Sequence, residues 1–419
     1  MHDLRDKVEA EVRSGILPFW QKNAIDEEFG GFRGQVANDL TIDPQAGKGL
    51  ILNARILWTF AKAYSVYREP IYLATARRAY DYLCDYFWDN EFGGVYWMVD
   101  HLGHPMDTRK RIYGQAFAVY ALAEYAHATG DPQAIDRAMS LVAQIELAGH
   151  DAEHGGYFET YERDWTLAAD QRLSEVDMDE RKSMNTHLHM LEAYAALLRH
   201  HEDVTVRFRL RELIEVFLKY IVNPAAHHFI LFFDDEWHPR SRKISFGHDI
   251  EGSWLLCEAA EVLGDQDVLA RVRAEAVKMA QAVYEQGLDV DGGLLYEAEE
   301  NDAGPAEIVD GDKHWWPQAE AVVGFLNAYE LSGGEHFLEA ANRSWEFIEE
   351  HIIDHENGEW FWLVSRTGAP DGKLDKVGPW KCPYHNSRTC FEVMERLDRF
   401  VRLGRMKRSE SNELPEKAG

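Results

Sequence analysis

The chain has 419 residues, and 44 Lys+Arg against 73 Asp+Glu give a formal net charge of −29. With 46% hydrophobic and 12% aromatic residues it carries the apolar surface of a large core, which excludes wholesale disorder. The negative balance repels phosphate backbones and anionic lipid headgroups, so neither nucleic acid nor a membrane surface is an expected partner.

The N-terminus, Met1-His2-Asp3-Leu4-Arg5-Asp6, has no apolar stretch of the signal-peptide kind. No window approaches the roughly 18 apolar residues of a membrane span, and a cytoplasmic location is expected. Along the chain, apolar residues at helical spacing predict helices near 4–22, 53–67, 72–88, 115–128, 132–148 and 185–200. The pattern continues near 205–222, 249–263, 266–286, 316–331, 335–353 and 386–402. Between them a glycine turn flanked by aromatics recurs at a period of roughly 60–70 residues: Phe29-Gly30-Gly31-Phe32, Phe92-Gly93-Gly94-Val95-Tyr96-Trp97, His154-Gly155-Gly156-Tyr157-Phe158, Gly292-Gly293-Leu294-Leu295-Tyr296 and Asn357-Gly358-Glu359-Trp360. A sixth stretch, His227-His228-Phe229-Ile230-Leu231-Phe232-Phe233, has the aromatics without the glycines.

Six helical hairpins either stack as an open solenoid, whose end repeats carry polar caps, or close into a ring. The first pattern (Ile16, Leu17, Phe19, Trp20) and the last (Phe391, Val393, Met394, Leu397) are both too apolar to end a stack. An all-α (α/α)6 barrel is therefore expected, with six inner helices inside six outer ones and short hairpin segments at one end. Residues 1–405 form one catalytic domain in this reading, and 406–419 a polar tail without structure. The four cysteines, Cys84, Cys257, Cys382 and Cys390, are scattered and are expected to be reduced and buried.

In such a barrel the inner helices start at one mouth. The six starts read Asn53-Ala54-Arg55, Tyr113-Gly114-Gln115, Asn185-Thr186-His187-Leu188-His189, His248-Asp249-Ile250-Glu251, Trp315-Trp316-Pro317-Gln318-Ala319-Glu320 and Trp380-Lys381-Cys382-Pro383-Tyr384-His385-Asn386. A purely structural repeat would favour Leu and Ala there, so these groups are expected to converge on a pocket. His187 and His189, two apart on a helix, point in different directions and make no metal pair. His189, His248 and His385 fall at corresponding places of different repeats, which favours function over three isolated core histidines. Arg55, inside an apolar stretch, is either paired to a carboxylate or holds substrate. Trp315, Trp316 and Trp380 are core residues or platforms for sugar rings. Glu251 stands one helical turn after His248 and is expected to orient that imidazole, whereas His227-His228 reads as surface.

Phosphate loops, dinucleotide fingerprints and nucleophile elbows are lacking, so neither a cofactor nor a metal is expected. The predicted pocket holds more histidines than acids, a poor match to the paired carboxylates of a glycosidase. Imidazoles, titrating near 6.5, suit removal and return of a proton at neutral pH.

At these residues the chain resembles the cellobiose 2-epimerases, within the wider N-acylglucosamine 2-epimerase group of (α/α)6 barrels. The resemblance runs from Ile16-Leu17-Pro18-Phe19-Trp20 to Cys390 and is most specific in Leu52–Trp58, Gly93–Met98, Ser183–His189, Ser245–Glu251, Trp315–Glu320 and Trp380–Asn386. It implies that His248 and His385 are the acid/base pair at C2 of the reducing-end sugar, with His189 a third essential histidine. It implies that Arg55, Tyr113, Asn185, Glu251, Trp254, Trp316 and Glu320 line or polarise the site, and that Trp380 stacks near a second sugar unit. Ser387 stands where family members often have Gly. The implied activity is reversible, cofactor-independent C2 epimerisation of β-1,4-linked disaccharides by a monomer or weak dimer. The alternatives are a glucose/mannose 2-epimerase or mannose isomerase on free sugars, an (α/α)6 glycoside hydrolase, and a non-catalytic binding scaffold.

Overall fold

In the computed structural model, which describes residues 2–301 and 304–412, the predicted helices pair into hairpins in chain order. The first is α1 (His2–Ala10), continued through a π-helical turn at Glu11–Ile16 into α2 (Leu17–Asn23). Then come α3 (Leu50–Tyr67), α4 (Pro70–Tyr82), α5 (Ile112–Thr129), α6 (Pro132–Gln144), α7 (Met184–His200) and α8 (Val204–Val216). The last five are α9 (Phe246–Leu263), α10 (Gln266–Gln286), α11 (Trp315–Ser332), α12 (Glu335–Phe347) and α13 (Tyr384–Asn412). Turn chemistry makes the hairpins tight: Gly130 ends α5 with φ 75°, and Asp131 caps α6 by accepting from Gln133 N, with Pro132 in the first turn.

Helices α3, α5, α7, α9, α11 and α13 form the inner ring, each packed on the next, and α13 returns to α3 to close it. A helix apolar all round is buried all round, and α5 buries every residue from Ile112 to Ala126. The outer helices are amphipathic; α6 buries only Ala134, Ala138, Leu141 and Val142. Closure is locked by contacts between the chain's two ends: Trp20 Nε1 donates to Glu359 Oε2 at 2.8 Å, Trp360 Nε1 to Glu11 Oε1 at 2.9 Å, and Arg5 Nε to Asp398 Oδ1 at 2.9 Å. No helix among the described residues is long and apolar enough to cross a membrane. The four cysteines are free.

Each repeat carries one β-bridge at its turn: Ile25 with Phe32, Trp88 with Val95, His150 with Tyr157, Val222 with Phe229, Leu288 with Leu294, and Ile353 with Trp360. The glycine-less fourth repeat keeps the same turn. His227 takes φ 58° and donates its N–H to Asn223 O at 2.8 Å, as Gly93 does to Asp89 and Gly155 to Asp151. His228 is consequently not a surface residue. It is buried, with Nδ1 2.8 Å from Asp249 Oδ2. Helix α13 runs on to Asn412, into the segment expected to lack structure, because Arg405-Met406-Lys407-Arg408 are good helix formers with no breaker among them. The rest of the expected tail, 413–419, lies outside the described residues.

Candidate active site

The equivalence of the repeats places the site by arithmetic. The sixth residue of α3, α5, α7, α9 and α11 is Arg55, Phe117, His189, Glu251 and Glu320, which form one buried layer; His248 is the third residue of α9, so His189 and His248 do not share one repeat position as the sequence suggested. The fourth residue has a structural task. Gln115 accepts from Val95 N (2.9 Å), His187 Nε2 from Tyr157 N (2.9 Å), Asp249 from Phe229 N (2.7 Å) and Gln318 from Leu294 N (2.6 Å). Each ties an inner helix to the bridge of its own turn. His187 also donates Nδ1–H to Ser183 O at 2.6 Å, and burial pushes its pKa down to about 3. It is a neutral pin, pointing away from His189.

His385 and His248 both lie against Trp316, with ring centroids 5.7 and 4.6 Å from the indole. His385 Nδ1 is 2.7 Å from Glu320 Oε1, and His248 Nδ1 is 2.7 Å from Ser245 Oγ. With Nδ1 of each ring engaged, no described protein group takes either Nε2. Burial lowers both: His248 falls to about 3, with the charge of His189 as a second cause, and His385 falls well below the ordinary imidazole value, helped by Arg55 and Arg388. Burial thus favours the neutral form of both rings, the state in which one nitrogen accepts a proton.

His189 Nδ1 lies 2.9 Å from Glu192 Oε2, and its ring meets Tyr113 edge-on at 5.1 Å. Burial alone would raise Glu192, but Arg388 and His189 overcome it and hold the carboxyl down at about 2. Arg55 is buried with no carboxylate partner among the described residues. Its Nη2 donates to Tyr113 Oη at 3.0 Å, its guanidinium lies over Phe117 and Tyr384, and its Nε has no partner. An uncompensated buried cation favours an anion or an anionic transition state beside it.

Glu251 does not serve His248, as its spacing suggested. It turns to Arg388 Nη2 and comes within 3.9 Å of His385 Nδ1, while His248 takes Ser245 from the strand before its helix. Burial, and then the charge of Glu320, raise Glu251 to about 7. Trp254 lies behind Glu320, donating Nε1–H to Oε2 at 3.0 Å, so it acts on the site through that carboxylate. Trp315 is buried against Trp362, 5.0 Å between centroids, and reaches His385 edge-on at 6.5 Å. Trp380 sits at the mouth between Trp97 (5.7 Å) and Tyr113 (5.8 Å).

Two cavities open at this mouth. One, of about 450 Å³, is bordered by Trp380, Trp97 and Arg111; the other, of about 720 Å³, by His248, Asn185 and Tyr296; Leu173 borders both. The Asn185 Oδ1 atom is buried without a partner. Glu251, Glu320 and His385 hold donor atoms within 4.8 Å of one another, close enough in principle for a metal ion. Arg388 already places its Nη2 on the Oε1 atoms of both carboxylates, and a dication there would meet that positive charge head-on.

Arg388, with its partner Glu192, is a residue that sequence reasoning missed. It lies one turn after Tyr384 on α13, beyond the polar groups at the helix starts, and reads as one more arginine on a charged helix. Its neighbours, Asn386-Ser387 before it and Thr389-Cys390 after it, are polar or small, so nothing local in the sequence marked this arginine as buried.

A family model described as N-acylglucosamine 2-epimerase (GlcNAc 2-epimerase) matches residues 30–387. The chain is 44% identical over 391 residues to a cellobiose 2-epimerase of Bacteroides fragilis, covering 93% of this chain and 98% of the relative. The solved structure of the cellobiose 2-epimerase from Bacillus thermoamylovorans superposes with a TM-score of 0.89 at 40% identity, over 94% of this chain and all of that one (100%). A solved D-mannose isomerase shares the fold at 22% identity, with a TM-score of 0.81 over 93% of this chain and 97% of that one.

Proposed function

Because the chain belongs to the N-acylglucosamine 2-epimerase family of carbohydrate isomerases, we propose that it inverts C2 of the reducing-end glucose in β-1,4-linked disaccharides. Cellobiose would give glucosylmannose, and lactose epilactose. The observation that carries the reading is the pair of buried imidazoles on Trp316, each with Nδ1 engaged and Nε2 unclaimed by the described residues. Its likeness to the cellobiose 2-epimerases, and the cavity alongside Trp380 where a second ring would lie, support a disaccharide.

The chemistry follows from the groups. In a closed pyranose the C2 hydrogen is not acidic, so the hemiacetal opens first: the O1 proton leaves and one is delivered to O5, a transfer suited to His189 on its Glu192 support. In the open aldehyde one imidazole Nε2 takes the C2 proton. The electron pair moves toward C1 and O1, and a cis-enediolate forms. Arg55, a cation without a carboxylate, stabilises that developing charge more than the neutral aldehyde. The other imidazole, neutral and carrying its proton on Nε2 while Nδ1 accepts from the serine hydroxyl, gives that proton to the opposite face of C2; the proton taken by the first ring passes back to it through solvent, and the sugar ring closes. His385 faces a carboxylate, which fixes its Nδ1 as donor and leaves Nε2 a base at rest. His248 faces a serine hydroxyl, which both donates and accepts, so that ring is held equally well as acid or base. No nucleotide or metal takes part in these steps.

The test is to incubate cellobiose, and separately mannose, with the protein in deuterated water and to read the products by NMR. Deuterium at C2 of an intact glucosylmannose is the expected result. Turnover of mannose alone would assign the protein to free sugars, glucose released from cellobiose would make it a hydrolase, and unchanged sugars would leave a binding protein.

A further inference from the structure

The guanidinium of Arg388 is fully buried and engaged at both terminal nitrogens. Nη1 donates to Glu192 Oε1 and to Tyr384 Oη, and Nη2 to Glu251 Oε1 and, at 2.6 Å, to Glu320 Oε1. Tyr384 Oη itself donates to Glu192 Oε1. Two of these carboxylates are the partners of catalytic imidazoles, Glu192 of His189 and Glu320 of His385. The two histidines come from helices α7 and α13, yet the chain His189–Glu192–Arg388–Glu320–His385 has no gap longer than a hydrogen bond.

We infer that Arg388 is a positioning residue that joins His189 and His385 into one acid–base unit by holding the carboxylate behind each. The inference rests on the assignment of both rings to catalysis. One cation shared by three carboxylates, Glu251 with Glu192 and Glu320, cannot neutralise them all fully. When His189 gains a proton, Glu192 turns its charge toward that ring and the guanidinium leans to Glu320, which then draws less strongly on the His385 Nδ1–H. Ring opening at C1 would in this way reset the basicity of the group that works at C2. The other groups facing His385 are Glu251 and His248 from α9, Arg55 from α3, and Trp316 from α11. Those facing His189 include Tyr113 and Phe117 from α5. None of these touches both carboxylates.

The test is a double-mutant cycle of Glu192→Gln and Arg388→Lys in the full chain. Lysine keeps the charge but cannot fork across two carboxylates. Two readouts are followed: the 15N signal of His385 Nδ1, assigned by its loss in His385→Gln, and the pH profile of kcat. With Arg388 present, Glu192→Gln moves the His385 signal and carries the acid limb of kcat to lower pH, since the freed guanidinium screens Glu320. In the Arg388→Lys background that response disappears. Arg388→Lys lowers kcat about 100-fold with KM changed less than about threefold, as misplacement of a reacting group does, and the double variant loses less than the product of the two single losses. A His385 signal that responds equally in both backgrounds, or in neither, overturns the coupling. Should Arg388→Lys fail to fold, a His385 signal unmoved by Glu192→Gln alone overturns it too. The NMR arm needs no turnover, so loss of the coupling is told apart from absence of epimerase activity.

Discussion

Glu320 stands between His385 and Trp254, with Oε1 2.7 Å from the imidazole Nδ1 and Oε2 accepting the indole N–H at 3.0 Å. The indole fixes the carboxylate, and the carboxylate fixes the imidazole tautomer. A ring so held presents its lone pair at Nε2 without having to rotate or exchange a proton first.

Glu320→Gln is therefore expected to lower kcat by about 10²–10⁴-fold with little change in KM. The amide can offer an N–H to Nδ1, which moves the ring proton to Nε2 and leaves no base there. Steady-state kinetics on cellobiose check this, with thermal melting to show that the barrel is intact. Turnover within a few-fold of the parent would remove Glu320 from the mechanism.

Glu159 makes stability depend on pH. It is buried; Oε1 accepts Ser183 N at 2.7 Å and Oε2 accepts Thr186 Oγ at 2.6 Å, which secures the start of α7. Burial raises its pKa to about 8, whereas the unfolded carboxyl titrates near ~4.3. Between those values the folded state binds more protons than the unfolded one, so this contribution is complete below the unfolded value and is lost as pH rises toward 8. Glu159→Gln keeps both hydrogen-bonding positions and cannot ionise. Melting temperatures taken from pH 5 to 9 should show a shallower alkaline decline in the variant; parallel curves would show that Glu159 is not the group responsible.

Lysine–aspartate pairs with a buried lysine recur at the turns: Lys48–Asp26 at 2.7 Å, Lys110–Asp89 at 2.9 Å, Lys182–Asp151 at 2.7 Å, Lys313–Asp289 at 3.2 Å and Lys376–Asp354 at 2.8 Å. Lys182→Met should destabilise the fold by about 3–5 kcal/mol, because Asp151 is left as an unpaired buried charge. Adding Asp151→Asn should recover a substantial part. The comparison is made by urea unfolding, and a single variant within about 0.5 kcal/mol of the parent, the range of ordinary surface substitutions, would mean that the pair contributes little.

The helices were legible because the apolar spacing that predicts α5 or α11 is local, and so was the sixfold repeat, because its glycines and aromatics are. The fourth repeat was legible from its aromatics although its marker glycine is absent, but His228 was read as surface; the backbone at His227 keeps the left-handed conformation of its siblings, and His228 is buried against Asp249. The Lys–Asp pairs were equally repetitive but hidden, since surface and buried lysines look alike in a sequence. Glu251 was assigned to His248 on helical spacing alone; in the barrel the side chain across the ring, Arg388, is the stronger partner.

Local order along the chain thus determined the secondary structure, the ring closure and the layer of polar groups at one mouth, since each depends on periodicity within or between neighbouring repeats. Which carboxylate serves which imidazole was decided only when six helices met. Glu320 and His385 are 65 residues apart, and Arg388 and Glu192 are 196. Those pairings depend on the rotation of each helix about its own axis, and only packing against all its neighbours sets that angle.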